Sequence, residues 1–375
     1  MSSGHRLDAW PRFEILGALV LVTAIYLAVV MPVYWPVPVA AFVVLAVLLR
    51  RWRAMPFLAM ALLIAAFYCV REFHGWHLMG MQATFWYSML YTLAVVVFGV
   101  RFLRRYWGRD RYMVVRTFFN MGAQLFIGFL IPYLLPFDWG GGAADSQGKG
   151  VFLMYVWPLE RSALVIGKQE GLTLVVKAFL AYNILLGLIV MPILVYYHGR
   201  RVYCSWLCGC GCLAETFGDP FRRLTPRGRL SRKLEPVIYP FVLAAVGMTI
   251  WWLIAPQSAE HTLWRVDKWY GLIVMLVFSS LLGVGVYSLL GSRIWCRYCC
   301  PWAGLFGLLA KHGRYAIRTR GDLCIGCGMC NTYCEMGIDI RGAAMRGEPV
   351  KTSTCVGCGM CIEKCPRRVL SFTVE

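Results

Sequence analysis

Fifteen of the sixteen cysteines in this 375-residue chain fall after position 200, in four tight groups. Closely spaced thiols form disulfides or hold metal, and the spacing separates the two. The last two groups read C-I-G-C-G-M-C-N-T-Y-C from Cys324 to Cys334 and C-V-G-C-G-M-C-I-E-K-C-P from Cys355 to Pro366. Each run spaces its cysteines C-x2-C-x2-C-x3-C, the bacterial pattern for paired [4Fe-4S] cubes in which the fourth cysteine of each run ligates the other cube. That pattern assigns Cys324, Cys327, Cys330 and Cys365 to one cluster, and Cys355, Cys358, Cys361 and Cys334 to the other. Two matched runs with this crossover spacing weigh heavily against disulfides or zinc. Gly326, Gly328, Gly357 and Gly359 let the backbone wrap closely around a bulky group. One position departs from the pattern: Glu335 follows Cys334, whereas Pro366 follows Cys365. The chemistry indicated is electron transfer.

The other two groups form an internal repeat. The first reads R-R-V-Y-C-S-W-L-C-G-C-G-C-L-A-E-T-F-G from Arg200 to Gly218, the second S-R-I-W-C-R-Y-C-C-P-W-A-G-L-F-G from Ser292 to Gly307. Each runs from a basic residue through an aromatic to C-x3-C, then through small residues to Phe-Gly, and the two lie 92 residues apart. Residues four apart on a helical turn share a face, so each C-x3-C points both sulfurs to one side. Two such pairs facing each other supply four thiolates, enough for a cube or for a soft metal such as Cu(I) or zinc. The metal-binding set expected is therefore Cys204, Cys208, Cys296 and Cys300. Cys210 and Cys212 rank second, and Cys299, crowded beside Cys300, last. Pro301 follows Cys300, but Gly209 follows Cys208 and the loop runs on as C-G-C-G-C, which leaves the ligands within the first loop open. Internal repeats commonly place a functional site where the halves meet.

The elements that carry these groups are apolar. The chain is 59% hydrophobic and only 15% charged, and eight stretches have the length and composition of membrane spans: 14–31, 36–50, 55–71, 84–102, 118–137, 173–197, 236–255 and 269–290. The first is expected to remain uncleaved, since its apolar core is long and no small-x-small site follows it. A formal charge of +19 would suggest nucleic acid in a soluble protein. Here 31 of the 38 Lys and Arg residues fall in the alternate segments that an inside-facing topology needs, so the charge reports orientation under the positive-inside rule. Both termini and all four cysteine groups are expected on the cytoplasmic side, where thiols stay reduced. The expected fold class is mainly α: a polytopic transmembrane bundle with a C-terminal two-cluster ferredoxin-like domain. Its parts are an N-terminal four-span region (1–117), a duplicated membrane module of two spans plus a C-x3-C loop used twice (118–310), and the ferredoxin-like tail (311–375).

With the twin C-x3-C loops and the double ferredoxin run together, residues 118–375 resemble the membrane polyferredoxin group. That group includes the quinol-oxidising ferredoxin subunit of periplasmic nitrate reductase systems and the membrane and ferredoxin half of the nitrous-oxide reductase accessory flavoprotein. The resemblance implies a protein of the bacterial cytoplasmic membrane that relays electrons between the quinone pool and a partner redox subunit within a larger oxidoreductase complex. It also keeps open a second role, maturation of a copper or other metalloenzyme through the C-x3-C loops. The S/T-G-A-T flavin-attachment motif of the nitrous-oxide branch does not occur, so no covalent flavin is expected. No C-x2-C-H occurs either, which argues against c-type haem.

Weaker signals remain. His74 and His77 sit with Met79 and Met81 in H-G-W-H-L-M-G-M, a set that suits copper or plain interfacial packing. His198, six residues before Cys204, could exchange a proton with a quinol. Asn120, Gln124, Lys177 and Asn183 are polar within predicted spans, and such residues are functional candidates; Lys177 lies near a span end and could snorkel. Cys69 reads as packing.

Overall fold

A computed structural model describes residues 77–78, 81–131, 174–254 and 287–374, with isolated positions between 262 and 284. The predicted spans 14–31, 36–50 and 55–71, most of 269–290, and the residues Cys69, His74 and Met79 lie outside the described residues. What is described is mostly helical. A two-residue pair, β1 (His77–Leu78) and β2 (Met81–Gln82), is antiparallel and leads into α1 (Ala83–Tyr106). Arg104 and Arg105 sit in the last turn of α1, where cations suit the carbonyl end of a helix. Asp110 opens α2 (Arg111–Leu125) by accepting the Met113 N–H at 2.9 Å. The helix runs on through a π turn, Phe126–Leu130. Next come α3 (Leu174–Leu185), a second π turn (Leu186–Val190) and α4 (Met191–His198).

Two near-copies of one arrangement follow. In the first, α5 (Arg201–Cys204) turns into α6 (Gly209–Thr216). The 3-10 turn Asp219–Leu224, α7 (Arg229–Lys233), the turn Glu235–Val237 and α8 (Ile238–Ile254) lead away from it. In the second copy α9 (Tyr287–Leu290) and α10 (Ile294–Tyr298) turn into α11 (Pro301–His312). The helix α11 packs against α4 and α8. Gly304 permits the close approach to α8, since a Cβ there would stand 2.5 Å from Val242 Cγ2. Two described segments, Arg111–Leu130 and Arg229–Trp251, are long and apolar enough to cross a membrane.

The tail is closed by its own ends. Strand β3 (Tyr315–Thr319) pairs antiparallel with β4 (Leu370–Val374), Tyr315 opposite Val374 and Thr319 opposite Leu370. Between them run the two cysteine segments, with short helices α12 (Met329–Thr332), α13 (Ile340–Arg346) and α14 (Met360–Glu363). One continuous buried cluster joins Cys204, Cys296, Trp302, Phe306, Ile317, Cys334 and Cys355, so the tail and the repeat share a core.

Candidate metal centres

The tail cysteines fall into two sets. Cys324, Cys327, Cys330 and Cys365 line one cavity, with Gly326, Gly328, Arg341 and Pro366 completing its wall. Cys361 lies near Cys358, Cys355 and Cys334, and also near Cys330 of the first set, and burial pushes the Cys361 thiol well up. Gly328 (φ 74°) and Gly359 (φ 81°) cap α12 and α14 in the left-handed region, which turns the chain around each set. Burial raises the Cys355 thiol, with the Gly357 N–H opposing the rise. Donors of this kind favour a thiolate, the form that ligates iron. A four-thiol cavity and left-handed glycine turns around each set fit cubane binding.

Cys204, Cys296 and Cys300 share one buried cluster, and Cys208 packs against it. Cys296 and Cys300 lie close enough to interact electrostatically with Cys204 and Cys208. The two halves are built alike. Cys208 (φ −70°, ψ 123°) is the N-cap residue of α6 and Cys300 (φ −76°, ψ 116°) that of α11, each in extended backbone at the start of its helix. The Cys210 contact and burial push the Cys208 thiol well up, and burial does the same to Cys300, with the positive ends of the two helix dipoles opposing the rise. Gly211 is required by packing, since a Cβ would stand 2.0 Å from the Cys204 carbonyl oxygen.

Arginines strap the halves together. Arg200 of the first loop donates to the Cys296 carbonyl at 3.2 Å, and Arg293 of the second donates to the Cys204 carbonyl at 3.2 Å. Arg293 also reaches Cys296 Sγ at 3.8 Å. Burial raises the Cys204 thiol, with Arg200 opposing it, and pushes Cys296 up to about 11, with Arg293 opposing it. Four thiolates would bring four negative charges together, and two buried guanidiniums offset the excess over what a bound metal group cancels. Tyr203, Trp302 and Phe306 wall the site, with ring centroids 4.1 Å apart for Trp302–Phe306 and 4.8 Å for Tyr203–Trp302.

The remaining thiols separate. Cys210 lies against Cys208. Cys212 is buried on the other face of α6, among Val95, Phe98, Leu213 and Phe217. Cys299 ends α10 and has Cys296 as its near thiol. Among the described residues, no group of three or more His, Cys, Asp or Glu side chains is drawn together closely enough to hold a metal ion, the loop thiols included. His198 is exposed, with Nδ1 3.5 Å from an Arg201 nitrogen. Asn120 and Gln124 serve the first loop, donating to the Ser205 carbonyl at 3.1 Å and the Leu207 carbonyl at 2.7 Å. Lys177 is exposed.

The largest feature that sequence reasoning missed is a ladder of alternating charges. Asp219 pairs with Arg222 at 2.8 Å, Arg222 with Glu335 at 2.5 Å, and Glu335 with Arg293 at 3.1 Å. Arg293 also pairs with Glu215, and Glu215 with Arg116 at 2.5 Å. Burial works against the Glu335 carboxylate, but Arg222 and Arg293 outweigh it and hold Glu335 below the usual range. Burial dominates at Glu215 and raises it. Glu335 is the residue standing where proline was expected, and its identity was the available signal. It gives up the proline turn to seat the tail on both loops.

The loops also grip the second cysteine run of the tail. Arg200 donates to the Ser353 carbonyl at 2.7 Å, Ser205 Oγ to the Val356 carbonyl at 2.8 Å, and Arg116 to the Cys358 carbonyl. The loop thiols therefore sit on the side of the tail that holds Cys355 and Cys358, away from the exposed Cys327.

These features define an iron–sulfur protein of the ferredoxin type. Residues 316–366 match the 4Fe-4S dicluster domain, and residues 180–228 and 272–320 each match the 4Fe-4S binding domain. The two matches begin 92 residues apart, the offset that separates Cys204 from Cys296. Relatives include the putative electron transport protein YccM of Escherichia coli, 27% identical over 52% of this chain and 56% of its own length. The methylamine utilization ferredoxin-type protein MauN of Methylobacillus flagellatus is 24% identical over 56% of this chain and 73% of its own. The regulatory protein NosR of Pseudomonas aeruginosa is 26% identical over 37% of this chain and 20% of its own. The chain thus spans little more than half of the YccM relative. The resemblance to membrane polyferredoxins holds across these relatives. No solved structure matches the chain.

Proposed function

We propose that this chain is a membrane-bound electron relay between the quinone pool and a partner redox protein. The observation that carries it is that the loops bearing Cys204, Cys208, Cys296 and Cys300 pack in one buried cluster with the Cys355–Cys361 run and hydrogen-bond to its backbone. The centres would then stand in a line: a loop site, the set Cys334, Cys355, Cys358 and Cys361, and the set Cys324, Cys327, Cys330 and Cys365. Groups of the [4Fe-4S] type, when bound at such sets, take up and return single electrons. The chain's own residues supply the thiolates, exclude water with Tyr203, Trp302 and Phe306, and hold the sets in register through the charged ladder. The match of both loops to the 4Fe-4S binding domain supports a cube at the loop site.

The eight-span topology, cytoplasmic termini and the division at about 118 and 311 belong to this reading. It is supported by the two membrane-length segments and by large apolar side chains turned outward on the helices, such as Leu243, Ile193 and Phe118. Quinol would react at the membrane boundary, and His198, six residues before Cys204, would exchange its proton. The alternative is a maturation factor whose loop thiols handle copper. Metal analysis of the purified protein separates them: iron at or above about eight per chain without copper supports the relay, while stoichiometric copper overturns it.

A further inference from the structure

We infer that the face of the tail around Cys327 is the docking surface for an acidic one-electron carrier protein of the ferredoxin or flavodoxin kind. The inference rests on the relay reading and names its far end. Among the tail cysteines Cys327 alone is exposed, and it lies in the set farther from the loops. Ile325 (59% exposed) and Leu323 (45%) flank it in sequence, Met329 follows, and Met345 of α13 lies over Gly326 with its sulfur 3.5 Å from the site of a Cβ there. These form an apolar patch on a redox centre, the centre of a transient interface. Its rim is basic. Arg341 and Arg367 line the same cavity as Cys327, both are exposed, and neither enters an ion pair among the described residues. Unpaired guanidiniums beside a cluster edge steer an acidic partner and repel a basic one. One electron crosses in each encounter: what this chain loses the carrier gains, and no bond is made or broken.

The test uses the full chain in zwitterionic nanodiscs, with an oxidised acidic plant-type [2Fe-2S] ferredoxin as the probe and binding as the primary readout. Saturable binding should weaken as salt rises through the range that screens surface charge. R341E/R367E should weaken it about tenfold or more, and I325N, which removes the apolar contact without adding charge, should weaken it without changing the salt dependence. R229E/K233E, the same charge change on exposed residues of α7, should shift binding less than about threefold. Equal loss in both charge-reversal pairs would mean that the global charge alone attracts the probe, and would overturn the surface. Absence of saturable binding would overturn it too, as would competition by anionic lipid when the nanodisc composition is changed. Iron content and EPR of the dithionite-reduced protein are measured on the same samples. Missing [4Fe-4S] signals would sink the relay reading itself, whereas intact signals without binding would sink only the docking surface.

Discussion

Substituting Glu335→Gln tests whether the tail is held to the repeat by charge. The buried members of the ladder, Asp219, Arg222, Glu335, Arg293, Glu215 and Arg116, carry three positive and three negative charges, so the ladder is balanced. Removing the Glu335 carboxylate leaves one uncompensated guanidinium charge at residues that are 1% exposed or less. Breaking a buried pair from one side costs about 3–5 kcal/mol. That corresponds to a population of undocked tail raised between about a hundredfold and several thousandfold. Hydrogen exchange of the β3 and β4 amides, with trypsin cleavage after the exposed Arg314, reads that population directly. The double variant Glu335→Gln, Arg293→Gln restores the balance and should be less destabilised than the two single variants summed, by about 1 kcal/mol or more. Tail protection within threefold of wild type in E335Q, or strict additivity in the cycle, would refute the reasoning.

Other outcomes follow from the same geometry. The double variant Cys204→Ser, Cys296→Ser should lose about four irons per chain while keeping the tail EPR signals, and unchanged iron would remove the loop site. Gly211→Ala forces a methyl onto the Cys204 carbonyl and should destabilise the loop by about 1–3 kcal/mol or more, seen as a lower thermal midpoint; Gly228→Ala, where a Cβ meets nothing within 4 Å, should not. A reporter active only in the cytoplasm should work when fused after Glu375 and fail when fused within 140–150. Activity at both sites would overturn the topology.

How much was legible in the sequence follows from the range of the interactions. The tail's two cysteine runs and its glycine turns are local, written within a dozen residues, and they could be read directly. The twin loops were legible because the repeat states the same local motif twice. Asn120 and Gln124 were marked as polar where polarity is expensive, but their partners, the carbonyls of Ser205 and Leu207, lie about eighty residues on. The ladder was invisible for the same reason. Arg222 and Glu335 are 113 residues apart, and neither residue type announces burial. Glu335 was visible only as a broken rule, and a broken rule does not name its compensation.

The arginines three residues before the first cysteine of each loop have a consequence for how such a molecule can arise. Arg201 and Arg293 occupy equivalent positions of the two units, 92 residues apart. Arg293 turns inward to the Cys204 carbonyl and the ladder, while Arg201 turns toward the tail, over Tyr315 at 4.8 Å and Phe372 at 5.1 Å. A pair of identical chains around a two-fold axis would have to give that arginine the same task on both sides. A single appended ferredoxin unit has only one place to sit and breaks such an axis. Joining the two units in one polypeptide frees the two copies to act differently, Arg201 on the tail's ring faces and Arg293 on the Cys204 carbonyl and the tail's Glu335.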